Sequence, residues 1–136
     1  MFYLSLEDIL ETHSFVIDET GGSHGLRDRG ALLATIALPA QTAFGQELYP
    51  TIFIKAAVYA RNIISSHPFI DGNKRTGMTT AIVFLEDNGY VALAKKGEVE
   101  KFALAIIEEK LDIEAIATWL KRHSKKSKQT GSRRKK

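Results

Sequence analysis

The segment that follows Pro50 constrains the fold most, because it is apolar on too many sides to form a surface helix. Proline favours the start of a helix, since its φ is already helical and the first turn does not use its missing N–H. The apolar positions of this helix are Ile52, Ile54, Ala56, Ala57, Val58, Ala60, Ile63 and Ile64. A helix of this kind is stable only where neighbours cover it. The sequence therefore predicts a buried central helix with the other elements packed around it.

The rest of the chain shows the same helical period. Apolar residues at helical spacing follow Ser5, Asp28 and Asp112, which are residue types that cap helix N-termini, and two further stripes follow Asn73 and Glu98. No segment alternates between polar and apolar residues for long enough to build a sheet. The prediction is an all-α, single-domain bundle of about six helices.

The positive charge of the chain is concentrated at its C-terminus. The net charge is +3, but residues 123–136 contain 7 Lys and Arg and no acidic residue. This segment has no aliphatic residue and no Phe, Tyr or Trp, so burial cannot offset the entropy lost on ordering. We therefore predict a helical domain over residues 1–122 and a disordered basic tail over residues 123–136. A weak, salt-dependent contact with RNA or the ribosome and a purely solvating role both fit such a tail.

Composition excludes several classes of protein. The chain has no cysteine, which rules out disulfides, thiolate catalysis and cysteine-bound zinc. No apolar run approaches the roughly 20 residues of a membrane span, and the N-terminus lacks the pattern of a secretory signal. The expectation is a cytoplasmic protein that makes no contact with a membrane.

The segment His67–Gly77, "HPFIDGNKRTG", joins the third and fourth predicted helices. A helix that begins near Asn73 directs unpaired N–H groups and the positive end of its dipole at this junction. Lys74 and Arg75 then occupy positions where acidic residues are normally favoured, so an anion is needed to offset their charge. Gly72 lets the backbone approach that anion closely. These residues indicate a phosphate-binding turn.

Two other side chains of this segment suit phosphate chemistry. Asp71 could hold a divalent cation that bridges phosphate oxygens. The imidazole of His67 could accept a proton from an incoming hydroxyl. Asn73 could cap its own helix or bind phosphate, and both readings stay open. A polar turn with solvated cations is the simpler alternative, but the combination of these residues favours a reaction centre.

The segment resembles the signature of the Fic/Doc superfamily, His-Pro-Phe-x-Asp-Gly-Asn, which continues as Gly-Arg in Fic enzymes and as Lys-Arg in Doc (death-on-curing) toxins. Here the continuation is Lys74-Arg75, as in Doc. Further stretches resemble Doc toxins in order and spacing across residues 4–120, among them "SLEDILETH", "GGSHGLRDRGALLATIALP", "FGQELYP", "FLEDNGY" and "LDIEAIATWL". The chain therefore looks like the toxin of a type II toxin–antitoxin system.

This resemblance implies Mg²⁺-dependent transfer of the γ-phosphate of ATP, or of another nucleoside triphosphate, to a Ser or Thr hydroxyl. The family's known target is translation elongation factor Tu. By position, His67 would be the general base and Asp71 the Mg²⁺ residue. The phosphate-binding turn would be Gly72, Asn73, Lys74 and Arg75, with Lys74 and Arg75 also stabilising the charge on the transferred group.

Two alternatives accompany this reading: Fic-type transfer of AMP to a protein hydroxyl, and a non-catalytic module that binds a nucleotide or an antitoxin. Fic enzymes carry a second arginine three residues after the first, and this chain has Met78 there, which disfavours AMP transfer. Many Fic proteins inhibit themselves through a glutamate followed by Gly or Asn, and no Glu of this chain precedes either residue. The resemblance instead implies an antitoxin whose disordered C-terminal segment folds into an apolar groove, with the first helix as a candidate wall.

Overall fold

A computed structural model describes residues 1–127, in which six α-helices form the domain. The helices are α1 (Leu6–Thr20), α2 (Arg29–Ala37), α3 (Ile52–Ser66), α4 (Asn73–Asp87), α5 (Lys96–Glu108) and α6 (Ile113–Arg122), and a 3₁₀ turn (Leu38–Ala40) follows α2. The predicted all-α bundle is confirmed. No helix in this part of the chain has both the length and the apolar character needed to cross a membrane.

Helix α3 lies at the centre of the bundle, as the sequence predicted. It packs mainly against α4 and α6, and residues 55–60 are all buried. The helix begins at Ile52, two residues later than predicted from Pro50, because the hydroxyl of Thr51 caps it by accepting a hydrogen bond from Ile54 N at 3.1 Å. The residue after α3 is His67, so the packing of α3 determines where the site begins.

Side-chain caps account for most of the other helix starts. Ser5 and Asp8 form a reciprocal capping box at α1, and Asp28 and Asp112 cap α2 and α6. Helix α5 starts at Lys96, ahead of the predicted start at Glu98, because the Glu98 carboxylate reaches back to accept the Lys95 N–H at 2.9 Å. Caps of this kind are typically worth about 1 kcal/mol each.

Two small antiparallel sheets were not predicted. Strand β1 (Thr42–Ala43) pairs with β2 (Gln46–Glu47), and β3 (Tyr90–Ala92) pairs with β4 (Ser124–Lys126). The first pair is held on α3 by Lys55, which is 1% exposed and whose Nζ lies 2.7 Å from Glu47 Oε1 and 3.0 Å from the Pro39 carbonyl.

Strand β4 lies in the segment that was predicted to be a disordered tail. Residues 123–127 instead continue the folded domain: Leu93 N donates to His123 O at 2.7 Å, and Ser127 N donates to Gly89 O at 2.8 Å. Backbone pairing with β3 orders this stretch without the apolar side chains that the tail prediction required. Residues 128–136, and with them the predicted contact of the tail with RNA or ribosomes, lie outside the described residues.

Candidate active site

The site is built on the loop between α3 and α4, residues 67–72, which we call the active-site loop. His67 caps α3 in the left-handed conformation, with φ 50° and ψ 58°, and its N–H donates to Ile63 O at 3.2 Å. Pro68 and Phe69 are buried, whereas His67 and Asp71 are exposed. The two buried residues anchor the loop, so that the imidazole and the carboxylate face solvent.

Phe69 is held from two sides. Its ring stacks on the His13 ring of α1, with centroids 3.8 Å apart and planes at 4°. Its backbone N–H donates to Asn73 Oδ1, and its carbonyl accepts from Asn73 Nδ2, both at 2.9 Å. The Asn73 side chain therefore braces the loop and does not cap α4. Its contribution to phosphate binding stays a prediction, for which the backbone N–H is the available group.

His13 supports the same loop from beneath. It is 4% exposed, and burial lowers the pKa of its imidazole, which favours the neutral ring. Its Nε2 donates to the Asp71 carbonyl at 2.8 Å. His13 was missed from the sequence, where the only signal is a histidine on the apolar side of a predicted helix.

The Asp71 carboxylate is oriented by backbone donors. Oδ1 accepts from Gly72 N at 2.9 Å, and Oδ2 accepts from Ser23 N at 3.2 Å. Among residues 1–127, no group of three His, Asp or Glu side chains could hold a metal ion. A Mg²⁺ ion at Asp71 would take its other ligands from phosphate oxygens and water, which is the usual arrangement for this ion. Binding of Mg²⁺ together with a nucleotide stays a prediction, for which Asp71 is the carboxylate that lines the cleft.

The start of α4 has the cationic character predicted from the sequence, and it is uncapped, a point that the sequence left open. Its N-cap, Gly72, adopts φ 77°, no side chain caps the helix, and its first turn contains no acidic residue. A Cβ on Gly72 would lie 2.9 Å from Ile17 Cδ1, so glycine suits both the conformation and the space. Thr76 N donates to Gly72 O at 2.9 Å, which leaves the N–H groups of the three preceding residues outside the helix ladder.

One cleft of about 440 Å³ brings the predicted residues together. The end of α1 and the facing side of α5 complete its walls. Six of its lining residues are those predicted from the sequence: His67, Asp71, Gly72, Asn73, Lys74 and Arg75. An imidazole, a carboxylate and an uncapped helix start thus share a single cleft, and their roles in phosphate binding and catalysis stay predictions.

Comparison with known proteins places this architecture in a family. The model of the Fic/DOC family matches residues 3–85, which include α1 to α3, most of α4 and the whole active-site loop. The chain belongs to the Fic/DOC family. The Toxin Doc of Mycolicibacterium smegmatis is 38% identical over 99 residues, which is 73% of each chain. The Protein kinase doc of Escherichia phage P1 is 28% identical over 122 residues, which is 90% of this chain and 95% of that protein.

In this member of the Fic/DOC family, a glutamate of α5 occupies part of the phosphate turn. Glu100 forms an ion pair with the Arg75 guanidinium, and the two side chains are 43% and 27% exposed. No internal glutamate was predicted, because the sequence lacks the local pattern of Fic inhibitory helices. The pairing arises from the packing of α5 on α4, and it supplies an anion at the position where a phosphate is expected.

Proposed function

We propose that this protein is the toxin of a toxin–antitoxin system and transfers the γ-phosphate of ATP, or of another nucleoside triphosphate, to a Ser or Thr hydroxyl of a protein. The observation that carries the proposal is the single cleft in which the exposed His67 ring, the Asp71 carboxylate and the uncapped start of α4 meet. The names of the two relatives, Toxin Doc and Protein kinase doc, support it. Elongation factor Tu is the proposed target.

In the proposed reaction, His67 accepts the proton of the substrate hydroxyl. The hydroxyl oxygen then forms a bond to the γ-phosphorus as the bond from that phosphorus to the bridging oxygen breaks, and ADP leaves. The free N–H groups of α4 bind phosphate oxygens together with Lys74 and Arg75, which stabilises the charge on the transferred group. When bound at Asp71, Mg²⁺ would neutralise charge on the phosphate oxygens.

The surroundings of the cleft favour transfer of the γ-phosphate over transfer of AMP. At the position of the second Fic arginine, Met78 is fully buried in the core and does not line the cleft. No cation at this position can therefore grip the far phosphates in the orientation that AMP transfer requires. AMP transfer remains the second candidate, because the left half of the motif, His67–Gly72, is shared by both branches of the family.

Labelled ATP distinguishes the candidate reactions. The protein is incubated with a translation extract, Mg²⁺ and ATP that carries the label at either the α or the γ phosphate. We expect label from the γ position only, on Ser or Thr of a protein the size of elongation factor Tu. Label from the α position would establish AMP transfer instead. If folded protein binds ATP and neither label is transferred, the non-catalytic binding module is correct.

We further propose that an antitoxin with a C-terminal segment that folds on binding occupies a groove beside the active site. The groove has a volume of about 240 Å³ and lies between α1, α4 and α5. Its wall includes Phe15, which is 60% exposed, and Ile82, and it shares Arg75 and Glu100 with the catalytic cleft. A helix of the antitoxin with an apolar face could bury Phe15 and Ile82 and also contact Arg75 at the edge of the cleft.

Replacing Phe15 with Ser is expected to weaken antitoxin binding at least about tenfold, because large exposed aromatics dominate interfaces of this kind. The measurement is the affinity for the cognate antitoxin. Phe44→Ser is the matched control, since Phe44 is exposed in the turn between β1 and β2 and lies outside the groove. Equal affinities for the two variants would show that the antitoxin binds elsewhere.

A further inference from the structure

A cation outside the cleft, Arg27, binds the backbone of the active-site loop. Its Nε donates to the His67 carbonyl at 2.6 Å, and its Nη2 donates to the Ser66 carbonyl at 2.7 Å. Its backbone N–H donates to the Pro68 carbonyl at 2.7 Å. One residue thus satisfies three consecutive carbonyls where α3 ends.

The chemistry of this contact requires an arginine. The last carbonyls of a helix have no partner within it and lie at the negative end of the helix dipole, where a cation is favourable. The planar guanidinium presents two N–H groups in a fixed fork, which matches the neighbouring carbonyls of Ser66 and His67. A lysine ammonium is a point charge and cannot reproduce this geometry.

The contact matters because His67 is held in an unfavourable conformation. Its φ of 50° lies in the left-handed region, which a residue with a Cβ rarely adopts and which persists only where the surroundings impose it. The backbone conformation sets the direction of the Cα–Cβ bond and hence of the imidazole. By fixing the carbonyls on both sides of the His67 Cα, Arg27 fixes the direction of the ring.

The rest of the segment Gly22–Asp28 supports the same loop at other points. Gly25 O accepts from Ile70 N at 3.0 Å, and Leu26 forms a β-bridge with Phe69. Gly22 has φ 116°, and a Cβ there would lie 2.7 Å from Asp71 Oδ2, so only glycine allows this approach. The segment therefore follows the loop closely, and Arg27 is the member that acts on His67.

We infer that Arg27 is a positioning residue, which holds His67 in its left-handed conformation and so aims the imidazole into the cleft. Arg27 does not line the cleft, so it acts through His67 and not on a phosphate. The effect on rate rests on the proposed function, whereas the effect on the His67 backbone does not.

The test compares the full-length variants Arg27→Met, Arg27→Lys and Arg29→Met. Arg29 is the matched control, because it is exposed, lies two residues further on, and makes no side-chain hydrogen bond or ion pair within residues 1–127. Two properties are measured: the NMR backbone chemical shifts of residues 66–69, and the kcat and KM for ATP of phosphate transfer. Thermal unfolding establishes the folded fraction of each variant.

For Arg27→Met we expect altered shifts at residues 66–69 and a fall in kcat of about 10²-fold, which is typical of a misplaced catalytic group, with KM for ATP unchanged. Arg27→Lys should fall between Arg27→Met and the wild type, and Arg29→Met should match the wild type. If Arg27→Met does not fold, Arg27→Lys still tests the inference, because its chemical shifts at residues 66–69 and its kcat should both differ from those of the wild type.

The inference is overturned if substitution of Arg27, by Met or by Lys, lowers only the melting temperature. The chemical shifts and kcat of the folded variant would then equal those of Arg29→Met. A wild-type protein that transfers no phosphate would refute the proposed function alone, because the shifts at residues 66–69 would still test whether Arg27 holds His67.

Discussion

Replacing His67 with Asn is expected to lower the rate of phosphate transfer by about 10²- to 10⁴-fold, the usual contribution of a general base. Asparagine removes the imidazole but tolerates the left-handed φ of 50° better than alanine does, so the substitution adds little backbone cost. The start of α4, the predicted phosphate-binding turn, is unchanged in this variant. ATP should therefore bind with its wild-type affinity, and only the chemical step should be lost.

The measurements are the rate of transfer from ATP labelled at the γ position and the affinity for ATP by calorimetry. His24→Asn serves as the control, because His24 is an exposed histidine that bonds Asp18 and does not line the cleft. Transfer at the wild-type rate by His67→Asn would exclude a base role for this ring. A loss of ATP affinity equal to the loss of rate would mean that His67 binds phosphate instead.

The helices could be predicted because their signals are local. Apolar period and capping residues lie within a few positions of each other, as with Ser5 and Asp8 at α1, and the predicted order of six helices is the observed one. The strands were missed because each is two or three residues long and has no periodicity of its own. Contacts with other elements hold them: the buried Lys55 of α3 pairs with Glu47 of β2, and β4 pairs with the β3 backbone, which is distant in the chain.

The residues of the candidate site also fall into two groups, those with a local signal in the sequence and those brought together only by the fold. His67, Asp71 and the predicted phosphate-binding turn could be found because they are contiguous in the sequence. The charges of Lys74 and Arg75 are unfavourable at a helix start, and this indicates an anion before the fold is known. Arg27, His13 and Glu100 act on the same loop or turn from other elements, and no spacing in the sequence brings them to it. Only the packing of α1 and the segment before α2 on the loop, and of α5 on α4, reveals them.

Glu100 provides an anion that the sequence argument assigned to phosphate alone. The cations at the start of α4 require an anion, and this was taken to mean phosphate. In the structure the Glu100 carboxylate meets that requirement for Arg75, whereas Lys74 is exposed and is not in any ion pair among the described residues. A phosphate that binds Arg75 must therefore compete with a carboxylate of the same chain.

Replacing Arg75 should lower the affinity for ATP, and replacing Glu100 should raise it. Arg75→Gln removes a charge-assisted contact to phosphate, and we expect the affinity for ATP to fall by about 10- to 100-fold. Glu100→Gln removes the competing carboxylate. Because the pair is partly exposed, we expect a gain in affinity of at most about fivefold. Calorimetric titration with ATP and Mg²⁺ measures both changes.

The double variant separates competition from a general effect of charge. If Glu100 acts by occupying Arg75, Glu100→Gln should give no gain in affinity once Arg75 is Gln, since nothing is left to release. A gain of the same size in both backgrounds would mean that Glu100 merely adds negative potential to the cleft. Arg122→Gln, at an exposed arginine of α6 that does not line the cleft, controls for the loss of one positive charge. Its ATP affinity should match that of the wild type, because the charge of Arg75 matters only through its position at the phosphate turn.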